Sequence, residues 1–273
     1  MPLETVSEAE IQSFTQSLLT RYGIDFTGYE PKSLRRRIIR VMGLFDLSSI
    51  HDLWLRFLRD PKFIHVFMNE ISVGMTSMFR DPILWKNLKN ILAGEFKVRS
   101  TVSVWHAGCS TGEEVYSLGI LLNESGWQKK TTALAIDINT AALEEARSGV
   151  YSKFKMSENK ANYRQFNTHH DFSNYFTTDG ENAIMNPDLI AHVTFQYQNL
   201  ITDPTPNHFD IIFCRNVMIY FDATTKIRLL NKFYDALNPA GYLIIGFFDT
   251  MSHLIDNKKF LLVDPEAKIF QKI

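Results

Sequence analysis

From Ser7 to about residue 72 the apolar positions recur at helical spacing. Ile11, Phe14, Leu18 and Leu19 form one stripe, and Ser7 with Glu10 three residues on makes a capping box. Pro31 suits the first turn of a second helix, with Leu34, Ile38, Val41 and Phe45 on one face and Lys32, Arg35, Arg36 and Arg40 on the other. A third helix is predicted from about Ser49 to Arg59. A fourth opens at Asp60-Pro61 and carries Phe63, Val66, Phe67 and Ile71. The pattern predicts a small helical bundle. Asp81-Pro82 reads as the cap of a connecting helix with Leu84, Trp85, Leu88, Ile91 and Leu92, which Gly94 ends.

From Thr101 the pattern changes to strand, loop and helix, repeated. "TVSVWHAG" and "TTALAIDI" are strands, followed by helices at Glu113 to Asn123 and Thr140 to Ser148. "HVTFQYQNL" and "FDIIFCRN" are further strands, then a helix from Thr224 to Leu237 and a strand from Gly241 to Phe248. "FLLVD" and "AKIFQKI" read as a closing antiparallel pair. Such alternation means an α/β domain built on a doubly wound parallel sheet. The polar stretch from about 151 to 190 breaks it, with turns at Asp179-Gly180 and Asn186-Pro187, and reads as an inserted β hairpin unit. The predicted division is a helical domain over 1–80, a linker helix over 81–100 and an α/β domain over 101–273.

Composition narrows the class further. Of 273 residues 45% are hydrophobic and 22% charged, and the net charge of −1 gives no argument for nucleic acid, so no nucleic-acid partner is expected. Two cysteines, Cys109 and Cys214, cannot build a disulfide framework, which points to a reducing compartment. No signal peptide, membrane span or zinc-type spacing is visible, so a cytoplasmic location without a metal is expected.

The chemistry gathers at strand ends. In "FDIIFCRNVMIYFD", Phe209 to Asp222, a fully apolar strand delivers polar groups where open α/β sheets keep ligands. In "VWHAGCSTGEEVYS" a loop of small residues lets a ligand approach the backbone. Glu113 and Glu114 then oppose a phosphate at the helix start and suit a ligand with a positive group, such as S-adenosylmethionine; helix-dipole pairing explains one of them. Asp137, ending the second strand, stands where a nucleotide ribose is held, with Thr140 as the better helix cap. Asn199-Leu200 either serves an adenine or turns the chain. Cys109 and Cys214 read as small buried residues rather than nucleophiles.

Together "CSTGEE", "AIDIN…A…ARSGVY" and "FDIIFCRNVMIYFD", with "MFRDP" and "YEPKSLRRRI" upstream, resemble the CheR-type chemotaxis receptor methyltransferases over nearly the whole chain. The resemblance implies a Rossmann-like class I methyltransferase sheet, an N-terminal all-helical domain and a small inserted β subdomain. It implies methyl transfer from S-adenosylmethionine to glutamate side chains of chemoreceptors, leaving S-adenosylhomocysteine. By motif position Thr76, Arg80, Glu113, Asp137, Asn199, Leu200, Asn216 and Val217 would contact the cofactor, and Arg80 and Tyr220 would act near the transferred methyl. Lys32, Arg35, Arg36 and Arg40 either form a solvated helix face or meet the receptor's cytoplasmic signalling domain, and the β subdomain docks a receptor C-terminal peptide in some such relatives and not in others. A monomer recruited to membrane receptor arrays is expected. The alternatives are a non-catalytic S-adenosylmethionine-binding sensory partner and a methyltransferase for RNA or a small molecule. Gly74 replaces a frequent Asn, and Gly246 to Asp249 (GFFD) replaces the usual Gly-His-Ser-Glu.

Overall fold

The helical domain begins where the chain supplies its own caps. A computed structural model describes residues 6–71, 76–205, 208–249 and 251–273, so Gly74 lies outside the described residues. In α1 (Glu8–Tyr22) both arms of the Ser7–Glu10 capping box are present. Glu30 caps α2 (Pro31–Leu44), and Ser49 caps α3 (Ile50–Arg59). With α4 (Phe63–Ile71) these helices enclose a core of Phe14, Leu18, Ile38, Val41, Phe57 and Phe67. The connecting helix α5 (Pro82–Ala93) differs from expectation at its start. Asp81 sits in the left-handed region at φ 57° without a side-chain cap bond, because its carboxylate is turned to Arg215.

The α/β domain follows as β1 (Val102–Ala107), α6 (Glu113–Ser125), β2 (Thr131–Asp137) and α7 (Thr140–Ser148). Asn139, not Thr140, caps α7: its side chain accepts from the Ala142 N–H at 3.0 Å. The insertion holds β3 (Val150–Ser152), α8 (Lys153–Phe166), β4 (Phe176–Asp179) and β5 (Asn182–Met185). Its strands form a separate antiparallel sheet in the order β3-β5-β4. The chain closes with β6 (Val193–Tyr197), β7 (Phe209–Cys214), α9 (Ala223–Ala236), β8 (Leu237–Ile245), β9 (Phe260–Asp264) and β10 (Ile269–Lys272).

The main sheet has the order β6-β2-β1-β7-β8-β10-β9. The first five strands run parallel, and β10 and β9 are antiparallel. Every residue of β7 is buried, as a central parallel strand requires. One face packs against α5, α6 and the insertion, the other against α9. The winding reverses between β1 and β7, so a crevice opens at their carboxyl ends. Among the described residues no helix is long and apolar enough to cross a membrane.

The helical domain is joined to that crevice by backbone bonds. Tyr29 forms an antiparallel bridge with Phe221, Glu30 N–H donates to the Tyr220 carbonyl at 2.9 Å, and Asp222 N–H donates to the Gly28 carbonyl at 3.0 Å. The segment after β7 is therefore held from both domains.

Candidate active site

A cavity of about 540 Å³ lies at the carboxyl ends of β1, β2 and β7, roofed by Tyr29, Arg37, Asn69 and Thr76. Its floor is the loop after β1. Gly108 has φ 99°, and a Cβ there would come within 2.6 Å of Val217 Cγ2, so only glycine permits this approach. Asp137 fastens the loop: its carboxylate accepts Ser110 N–H at 2.8 Å and Asn139 N–H at 2.9 Å. Burial pushes this carboxyl above the usual range, and those bonds oppose the shift.

Of the residues singled out in the sequence, Thr76, Arg80, Asp137, Asn199, Leu200, Asn216, Val217 and Tyr220 all line this one cavity. Glu113 does not. Its carboxylate is fully buried beside the loop, accepting from Thr111 Oγ1 at 2.6 Å and pairing with Lys155 at 3.3 Å. Burial raises it, against the pull of Thr111 and Lys155. The adjacent Glu114 lines the cavity instead, bonded to His106 Nδ1 at 2.8 Å and Arg215 Nη1 at 3.1 Å. Burial alone would raise Glu114, but His106 and Arg215 outweigh it and hold the carboxyl below its ordinary value. Two neighbouring acids at a helix start thus face different surroundings, and residue type alone does not distinguish them.

Arg215 ties this acid to the linker. It donates to the Arg80 carbonyl at 3.0 Å and to Asp81 Oδ2 at 2.7 Å. Arg80 is thereby fixed at its backbone, at the cavity wall. Lys32, Arg35, Arg36 and Arg40 lie outside the cavity lining; Lys32, Arg36 and Arg40 are exposed, and Arg40 pairs with Glu70 at 3.5 Å.

The cation of α2 that does reach the cavity is Arg37, which the reading of a polar helix face passed over. It is buried, donates through Nη1 to the Ile71 carbonyl at 2.8 Å, and lies 3.8 Å over the ring of Tyr220. It has no carboxylate partner among the described residues, and its Nε has no hydrogen bond. Its position between Leu34 and Val41 on the apolar stripe was the signal.

Asp249 ends the GFFD segment that follows β8. It is buried, and its Oδ2 accepts from Asn216 N–H and Gly246 N–H, both at 2.8 Å, while Oδ1 accepts from Ile219 N–H at 3.0 Å. These bonds hold Asn216 at φ 58°, in the left-handed region. Cys109 and Cys214 are both buried, and burial pushes both thiols well up, so neither is poised as a thiolate.

The residues fit S-adenosylmethionine on their chemistry. Asp137 offers a carboxylate at the ribose position of such sheets, and Glu114, bonded to His106 and Arg215, lines the same cavity. Asn216 Nδ2 and Gln198 Oε1 are buried, unpartnered polar atoms on cavity-lining residues, the kind a ligand satisfies. Among the described residues no cluster of three or more His, Cys, Asp and Glu forms a metal site.

A doubly wound sheet, an acid closing its second strand and a cavity at the switch point define a Rossmann-like, class I S-adenosylmethionine-dependent methyltransferase. Residues 74–266 match the CheR methyltransferase, SAM binding domain, and residues 9–72 the CheR methyltransferase, all-alpha domain. The chain belongs to the CheR methyltransferase family. It is 34% identical, over the whole of both chains, to a Pseudomonas putida protein provisionally named methyltransferase Cher3. It is 31% identical to the chemotaxis protein methyltransferase of Salmonella typhimurium, over 92% of this chain and 86% of that one. With the Escherichia coli chemotaxis protein methyltransferase the identity is 30%, over 91% of this chain and 87% of the relative.

Proposed function

We propose that this protein transfers a methyl group from S-adenosylmethionine to glutamate side chains on the cytoplasmic signalling domain of chemoreceptors, forming the glutamyl methyl esters of sensory adaptation. The names of the Salmonella and Escherichia coli relatives support the chemotaxis role. The observation that carries the choice of a carboxylate acceptor is Arg37, a buried guanidinium without an anionic partner among the described residues, stacked on Tyr220 in the cavity. An unpaired buried cation costs several kcal/mol, roughly, and an incoming carboxylate would offset that cost.

When bound, S-adenosylmethionine supplies a sulfonium-activated methyl group. A glutamate acceptor has a pKa of about 4.3 and is already ionised at neutral pH, so the protein need not supply a general base. Its residues contribute positioning. Arg37 draws the acceptor carboxylate to the roof of the cavity, and Tyr220, braced by Arg37 and by the Glu30 N–H on its carbonyl, orients one oxygen. Arg80, whose backbone Arg215 holds at the cavity, steers the acceptor as well. Asp137, Asn199, Leu200, Asn216 and Val217 hold the cofactor in this reading, with Glu114 in the role first given to Glu113. The basic face of α2 faces the acidic receptor surface, and the open edge of β4 offers strand addition to a receptor tail. The protein then works as a cytoplasmic monomer gathered at receptor arrays.

The test is transfer of labelled methyl to a receptor cytoplasmic fragment. The label is expected to follow the fragment. Tyr220→Phe and Arg80→Ala should each lower turnover at saturating fragment, and Arg37→Gln should raise KM for the fragment about tenfold or more with unchanged cofactor affinity. Cofactor binding without transfer to any receptor fragment, or transfer to RNA instead, would overturn the proposal.

A further inference from the structure

Phe247 and Phe248 follow β8 at the mouth of the cavity. They are 57% and 60% exposed, although two phenylalanines would ordinarily be drawn into the core. Their rings pack edge to face at 5.4 Å, and Phe248 lines the cavity together with Tyr220. The segment carrying them is fixed. Asp249 binds Gly246 N–H on one side and the N–H groups of Asn216 and Ile219 on the other. A Cβ at Gly246 would approach the Asn216 nitrogen to 2.6 Å, so the two loops touch. An exposed aromatic pair on a braced loop is a preformed contact surface.

Its surroundings identify the partner. Arg37 of α2 lines the same cavity, and Lys32, Arg36 and Arg40 stand exposed on that helix. The cavity thus carries a buried cation, Arg37, and an aromatic ledge that begins at Phe248. A segment that complements both carries an acid and an apolar side chain, and in a helical segment residues three or four apart lie side by side and meet both at once. We propose that Phe247 and Phe248 form a docking ledge for an aliphatic side chain one helical turn from the methyl-accepting glutamate. The ledge thereby selects among receptor glutamates by their apolar neighbours. This inference rests on the receptor-glutamate reading of the site.

The test compares the wild type with the Phe247→Ser/Phe248→Ser double variant. The substrates are a receptor cytoplasmic fragment and its counterpart with the aliphatic residues three and four positions from the methylated glutamate changed to serine. The double variant should raise KM for the unmodified fragment by about tenfold, with kcat/KM lost and cofactor Kd from calorimetry unchanged. For the serine-substituted fragment, wild type and variant should be nearly equal, because the two changes remove one contact. Losses that simply add, an unmoved KM, or weakened cofactor binding with KM unmoved would each overturn the ledge. The rings are exposed, so their replacement leaves the core intact, and a melting curve checks it. If the wild type methylates no receptor fragment, the reading of function fails and the ledge with it; if it does and KM is unmoved, only the ledge fails.

Discussion

At the scale of single residues, the site is braced by acids that never need touch a ligand. Asp249 satisfies three backbone N–H groups from a buried position and so sets the path of the segment from Asn216 to Tyr220. Removing the carboxylate leaves three donors short of a partner, each costing about 1–3 kcal/mol where it stays dry. Asp249→Ala should therefore lower unfolding free energy in urea by about 2–4 kcal/mol. An unchanged midpoint would mean that water replaces the carboxylate freely. Single residues are also where the sequence was least legible. Which of Glu113 and Glu114 faces the cavity depends on how the chain leaves Gly112, at φ 90°, and residue type carries no sign of it. Arg37 was legible in principle, because an arginine at helical spacing from Leu34 and Val41 sits on a buried stripe. The run of basic neighbours drew attention to the exposed side instead.

At the scale of elements, the insertion reaches the cofactor loop. Tyr151 on β3 donates its hydroxyl to the Thr111 carbonyl at 2.7 Å, and Lys155 on α8 pairs with Glu113. Tyr151 itself is buried, so its bond is shielded from water. Tyr151→Phe should weaken S-adenosylmethionine binding about threefold to tenfold in calorimetry while leaving the fold intact. No change in Kd would separate the insertion from the cofactor site. The strands and helices of the main sheet were legible from alternation, because a parallel sheet demands long apolar runs and β7 supplies one. Helix α8 was not. Its buried positions are Met156, Asn159, Tyr163 and Phe166, and Asn159 interrupts the apolar stripe because its carboxamide accepts the Met78 N–H at 2.9 Å. The pattern was spent on a tertiary bond that only the fold reveals.

At the scale of the whole molecule, the helical domain completes the site. Tyr29, Arg37 and Asn69 roof a cavity whose floor belongs to the sheet, and the bridge between Tyr29 and Phe221 carries the two parts as one surface. The division into a bundle and an α/β domain was plain from the change of period near Thr101. Their meeting at the motif from Phe209 to Asp222 was not, because the bonds that join residues 28–30 to residues 220–222 run between backbone groups, whose partners residue type does not name. The arrangement is consistent with the proposed carboxylate acceptor: Arg37 from one domain lines a cavity whose floor belongs to the other.

The central claim is that the product is a carboxyl ester, and its stability to base tests this most directly. A receptor fragment labelled by the protein and methyl-labelled S-adenosylmethionine is brought to mild alkali, and the volatile label is counted. A glutamyl methyl ester gives up nearly all of it as methanol, the result predicted here. Label that stays with the fragment through alkali would be a methyl on nitrogen or another base-stable atom, and would contradict the account.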